Sequence, residues 1–173
     1  MRFMCVVAVL ALASGVCLAD EPPSAQEILA ASDAVRNPNV PFGVTSVLTE
    51  YKEGRENDTS TLLILSKADK SSGQFKNLIQ FAAPERDANK RMLKNGNDLW
   101  FYDPANKASV RISPQQRLLG QAANGDVVTA NLAKDYKVSL GGQEDITDGD
   151  RKTVSCYKLE LTATATEVTY ERI

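Results

Sequence analysis

Apolar and polar residues alternate with a period of two along most of this chain, and short polar segments interrupt the alternation. In Gln74 to Ala83, Phe75, Ile79 and Phe81 fall on one face and Gln74, Lys76 and Gln80 on the other, with Leu78 the exception. Tyr157, Leu159 and Leu161 alternate in the same way with Lys158 and Glu160. The pattern predicts strands over 43–52, 59–66, 74–83, 91–94, 99–102, 108–112, 136–140, 153–162 and 165–172. Turns are expected at 53–58, 67–73, 95–97 and 103–107, at Gly141-Gly142, and in the acidic stretch Thr147 to Asp150. The run Leu62-Leu63-Ile64-Leu65 is apolar on both faces, so its outer side needs a cover.

That cover is a helix or a bound molecule, and the helix is the favoured one. Ser24-Ala25-Gln26-Glu27 is a capping box, and a helix following it to about Val35 brings Ile28, Leu29, Ala31, Ser32 and Val35 near one face before Asn37-Pro38 ends it. Pro114 and the stretch Gln115 to Gly125 read as a polar connection. A second short helix is expected over Asp126 to Lys134, capping one opening of the sheet. Many short antiparallel strands with two helical pieces predict an α+β fold, a strongly curved antiparallel sheet or incomplete β-barrel covered by helices.

The N-terminus changes the compartment. A basic start, Met1-Arg2-Phe3, precedes the uncharged apolar run Met4 to Ala13, which is too short to span a bilayer. Residues 1–19 read as a signal peptide cleaved after Ala19, and 20–173 as one domain. Lipidation of Cys17 is the weaker alternative, because Val16 is a poor residue before a lipidated Cys. The 20 basic and 22 acidic residues lose only Arg2 with the leader, which leaves a mildly acidic chain and no sign of nucleic-acid binding. Cys5 and Cys17 leave too, so Cys156 has no intramolecular partner and is expected to be a buried apolar Cys in a strand.

Catalytic chemistry finds no constellation. The chain contains no His, which removes the commonest general base and the usual zinc ligand, and leaves Cys156 without an activating partner. Ser113-Pro114 and Ser71-Ser72-Gly73 lack a nucleophile-elbow setting. Glu144, Asp145, Asp148 and Asp150 sit in turns without a calcium-loop pattern and read as solvated charges. The sequon Asn57-Asp58-Thr59 carries little weight. The expectation is a protein that is not an enzyme, with no cofactor and no metal.

The most informative stretch is Leu93 to Gln121. A Lys-Asn-Gly turn, Leu99-Trp100-Phe101-Tyr102-Asp103-Pro104, a basic turn, and Ser109-Val110-Arg111, continuing to Asn131-Leu132-Ala133-Lys134-Asp135-Tyr136, resemble the outer-membrane lipoprotein-sorting proteins and the LolA-like periplasmic lipoprotein carriers. The resemblance runs from about Ser24 to the end. It implies a LolA/LolB-like fold and a periplasmic carrier that shields acyl chains in an apolar cavity and delivers them to a membrane partner. Relatives of this type continue with further strands beyond one like Val168 to Arg172, so a C-terminally truncated domain with an open edge is expected. The cavity candidates are Leu48, Leu63, Leu65, Phe75, Ile79, Phe81, Trp100, Tyr102 and Tyr157, with Trp100 at the rim because its indole N–H suits a wet boundary. Arg91, Lys94 and Arg111 are the basic rim candidates, drawn from a cluster that includes Arg86, Lys90, Lys107 and Arg117. The resemblance also implies a basic residue inside the cavity that helps control opening, which no single position in this sequence matches. The alternative function is a non-carrier accessory that docks on an envelope transporter or assembly complex.

Overall fold

A computed structural model describes residues 22–173, so the expected signal peptide and its cleavage at Ala19 lie outside the described residues. The first described element is α1 (Ala25–Arg36), whose capping box forms as the sequence requires: Glu27 N–H donates to Ser24 Oγ at 3.3 Å, and Ser24 N–H donates to Glu27 Oε2 at 2.8 Å. Ser24→Ala is expected to cost about 1 kcal/mol in urea unfolding, and no loss would mean that tertiary contacts alone hold the helix start.

Six strands follow as an antiparallel meander in sequence order: β1 (Phe42–Lys52), β2 (Arg55–Ala68), β3 (Phe75–Ala83), β4 (Arg91–Asn95), β5 (Asp98–Asp103) and β6 (Ala108–Ile112). The β1–β2 turn is shorter than the polar stretch suggests. Glu53 and Gly54 turn the chain with φ of 50° and 75°, the left-handed pair that suits a two-residue hairpin, and β2 absorbs the polar residues from Arg55 onward. Gly96, at φ 63°, serves the β4–β5 turn in the same manner. In register, Ile64, Ile79, Met92 and Phe101 lie opposite one another across β2 to β5. They centre an inner face on which Leu62, Ile64, Ile79, Phe81, Met92 and Leu99 form the main core with Val127.

After β6 the chain makes the small hairpin β7 (Arg117–Leu119) and β8 (Ala122–Ala123) inside the stretch expected to be a plain connection. The helix expected over Asp126 to Lys134 does not form as one piece. A single 3-10 turn spans Asn124–Val127, residues 128–131 are irregular, and α2 (Leu132–Asp135) is one turn capped by the Asn131 side chain. The break has two causes. Val128 and Thr129 are β-branched, and the Thr129 N–H donates to Asn77 Oδ1 at 3.1 Å rather than to a helical carbonyl.

The long hairpin β9 (Tyr136–Thr147) and β10 (Thr153–Ala163) comes next. Gly141-Gly142 does not end the strand. It forms a bulge, where the register slips between Lys158 and Leu159, with Gly142 at φ 113°. Cys156 lies half-buried on β10 rather than in a sealed core. The strand expected over Ala165 to Arg172 is not formed either. Val168 packs with Leu29, Tyr136 and Leu161, and side chains take up its backbone: Gln115 Nε2 donates to Val168 O at 3.0 Å and Tyr136 Oη to Tyr170 O at 2.8 Å. Only Glu171 to Ile173 pair with β10, through Leu161 and Ala163.

Helix α1 does not cover the six-stranded sheet as expected. It packs on β9 and α2 through Leu29 and the buried Asp33, whose Oδ2 accepts from Ala133 N–H at 2.7 Å, while Val35 faces solvent. The helix therefore leaves the outer side of Leu62 to Leu65 uncovered. Leu62 and Ile64 point inward and are buried; Leu63 and Leu65 point outward and are exposed. The sheet is antiparallel, carries few helices, and is not closed into a barrel.

Candidate functional site

A cavity of about 490 Å³ lies between the inner face of the sheet, the segment 125–136 and the C-terminal residues. Val44 and Ile64 supply its sheet wall, and Val127, Val128, Leu132 and Val168 its opposite wall. Apolar walls of this size match ordinary ligand cavities, which run from about 300 to 1,000 Å³.

One end of the inner face is polar. Ser66, Asn77 and Lys94 stand in register on β2, β3 and β4, at positions that alternation gives to the core. Asn77 Nδ2 donates to Ser66 Oγ and to Thr129 Oγ1, both at 2.9 Å, and Ser66 and Thr129 share a further hydroxyl bond of 2.8 Å. Lys94 Nζ donates to Thr129 O at 3.0 Å. Four bonds thus converge on one residue, Thr129, and strap the irregular segment 128–131 across the sheet. Burial pushes the Lys94 ammonium below its usual pKa, and the charge of Asp135 opposes that shift in part.

The residues expected to line a cavity are divided between two faces. Phe75, Ile79 and Phe81 are buried on the inner face, with Leu48 partly buried against the same core; Phe75 also borders a second hollow beneath α1. Leu63, Leu65, Trp100 and Tyr102 lie on the outer face, opposite the core. Tyr157 is on β10, half exposed and remote from the six-stranded sheet's register. Among the basic candidates, Lys94 borders the 490 Å³ cavity. Arg91 and Arg111 project outward, and Arg111 is paired with Asp98 at 2.7 Å and Glu167 at 3.6 Å.

The outer face carries its own feature. Leu65, Leu78, Leu93 and Trp100 are consecutive register partners across β2, β3, β4 and β5, and each is between 39% and 57% exposed. They form a continuous apolar stripe. Sequence reading missed Asn77 and Thr129 as site residues. The signal for Asn77 was present, since it shares parity with Phe75 and Ile79.

An open antiparallel sheet with a few helices on its inner side and an apolar cavity beneath them is a LolA-like arrangement. A family model described as an uncharacterized protein matches residues 73–173, more than half of the chain, and the chain belongs to that family. It is similar to a LolA superfamily protein from Nitrosomonas europaea, with 32% identity and a TM-score of 0.71 over 87% of this chain and 64% of that one. A DUF1329 family protein from Desulfovibrio piger shares the fold at 23% identity and a TM-score of 0.68, over 86% of this chain and 65% of that one. An outer membrane lipoprotein-sorting protein domain from Vibrio parahaemolyticus does so at 18% identity and a TM-score of 0.64, over 84% and 63%. The chain spans just under two thirds of the length of each of these three. No curated protein matches it. The resemblance carried by Leu93 to Tyr136 therefore holds at the level of fold. Among the described residues, no helix is long and apolar enough to cross a membrane.

Proposed function

We propose that this protein is a periplasmic carrier, exported by a signal peptide cleaved near Ala19, whose domain over 20–173 shields acyl chains and delivers them to a membrane partner without catalysing a reaction. The observation that carries the reading is the 490 Å³ cavity walled by Val44, Ile64, Val127, Val128, Leu132 and Val168. Burying a methylene contributes about 0.8 kcal/mol, so a long acyl chain needs on the order of 10 kcal/mol of shielding to cross water. The similarity to a LolA superfamily protein and to an outer membrane lipoprotein-sorting protein domain supports the same class.

The test is native mass spectrometry of protein taken from the periplasm without detergent, followed by uptake of a fluorescent fatty acid. A defined lipid adduct and saturable uptake are expected. A bare mass together with no uptake overturns the carrier. Trp100→Ala is expected to leave uptake within about twofold, because Trp100 is on the outer face and apolar transfer is local to the area removed from water.

The exposed stripe Leu65, Leu78, Leu93 and Trp100 favours a second reading, an accessory that docks on an envelope complex and carries nothing. A bare mass and copurification with a membrane complex that Trp100→Ala abolishes would select it.

A further inference from the structure

Most of the cavity wall is hydrocarbon, yet it is bordered by a cation whose donors are not all used. Lys94 is 8% exposed, and its ammonium carries three N–H donors. Thr129 O takes one of them, and none of the ion pairs among the described residues involves Lys94. The other charged groups bordering the cavity make contacts of their own, and Asp135 acts on Lys94 by its charge without forming an ion pair with it. Arg36 is paired with Asp33 at 3.1 Å, and Asp126 Oδ2 accepts from Ala123 N–H and Tyr170 Oη. Asp135 Oδ1 accepts from Gln74 Nε2 at 2.8 Å, and Glu167 lies 3.6 Å from Arg111.

A buried ammonium is expensive, and an apolar side chain of its length would hold the sheet at lower cost. Its unspent donors border the same space as the apolar wall. An oxyanion entering that space would be held by charge-assisted hydrogen bonds in a low dielectric, where they are strongest.

We propose that the cavity binds a single-chain amphiphile with an anionic head, a carboxylate or a phosphate, whose oxygens accept from Lys94 Nζ while the chain lies along Val44, Ile64, Val127, Val128 and Leu132. The inference rests on the carrier reading and narrows it, since a lipid with a neutral head would leave Lys94 unpaired.

Calorimetric titration of the delipidated full chain with palmitate, hexadecyl phosphate and hexadecanol separates the two claims. Palmitate or hexadecyl phosphate is expected to bind about tenfold or more tightly than the alcohol, and the stronger of the two identifies the head. Lys94→Met is expected to abolish the preference, so that the variant binds the anionic ligands no more tightly than it binds the alcohol, whereas Lys94→Arg keeps the preference. Equal binding of acid, phosphate and alcohol by the unsubstituted protein overturns the head-group assignment and leaves the carrier intact. Binding of none of the three overturns both. Binding of acetate or inorganic phosphate as tightly as the long-chain anions shows an anion site without a lipid, which also overturns it. The comparison in the unsubstituted protein decides the matter even if a substitution prevents folding.

Discussion

Ile79→Ala is expected to destabilise the protein by about 2–5 kcal/mol, a large share of what holds a domain of this size together. Ile79 is 0% exposed and sits at the centre of the inner face, between Ile64 on β2 and Met92 on β4. Its neighbours are themselves held. Phe81 meets Phe101 edge to face, with ring centroids 6.2 Å apart at 88°, and Val127 closes the cluster from the other side. A pleated sheet with ladders on both sides of β3 has little freedom to collapse onto the vacated space, which places the cost in the upper part of the range. The control is one residue away. Leu78→Ala removes a side chain of the same size from the outer face, where it is 39% exposed, and is expected to cost under about 1 kcal/mol. Urea unfolding of the pair measures the difference directly. Equal losses would mean that the outer stripe is covered in solution.

That contrast rests on parity, which is also what made the sheet legible. Alternation in Phe75 to Phe81 and the turn residues at Asn95-Gly96-Asn97 and Asp103-Pro104 determine strands to within a residue or two, because period two and left-handed turn positions are local properties. The capping box of α1 is local as well. Segments governed by distant partners were not legible. Thr129 leaves the helical pattern to meet Asn77, 52 positions away, and Val168 leaves the strand pattern for the cluster of Leu29, Tyr136 and Leu161. Nothing near either residue announces those partners.

Parity also says which residues share a face without saying which face is covered. On β4, Met92 and Lys94 alternate with Arg91 and Leu93, one apolar and one basic residue on each side, so the strand taken alone is symmetric. The same ambiguity in Leu62 to Leu65 spread the cavity candidates over both surfaces. The structure resolves it through Val127 and Thr129, which lie on the side of Met92 and Lys94. The cavity thus depends on one irregular segment, and that segment depends on a few polar contacts.

Asn77→Leu tests that dependence and is expected to cost about 2–4 kcal/mol, with a local signature that Ile79→Ala lacks. Leu fits the volume and the apolar surroundings of a residue that is 1% exposed, so packing is nearly conserved. The loss is polar. Thr129 N–H and the hydroxyls of Ser66 and Thr129 lose Asn77 as a partner, and a buried donor left unmade costs its full desolvation. The strap relieves that cost by lifting from the sheet to reach water, opposed by Val127 packing, by the Ser66–Thr129 hydroxyl bond and by the bond from Lys94. Hydrogen exchange at Thr129 and its neighbours in 128–131 is therefore expected to accelerate by more than the global loss of stability accounts for, whereas in Ile79→Ala exchange there follows global unfolding. Thr129→Val, which removes the hydroxyl but keeps the backbone bond to Asn77, is expected to cost only about 1 kcal/mol and to leave exchange slow. If Asn77→Leu is neutral, or if exchange over 128–131 does not change, Val127 packing and the bonds to Thr129 from Ser66 and Lys94 hold the strap without Asn77.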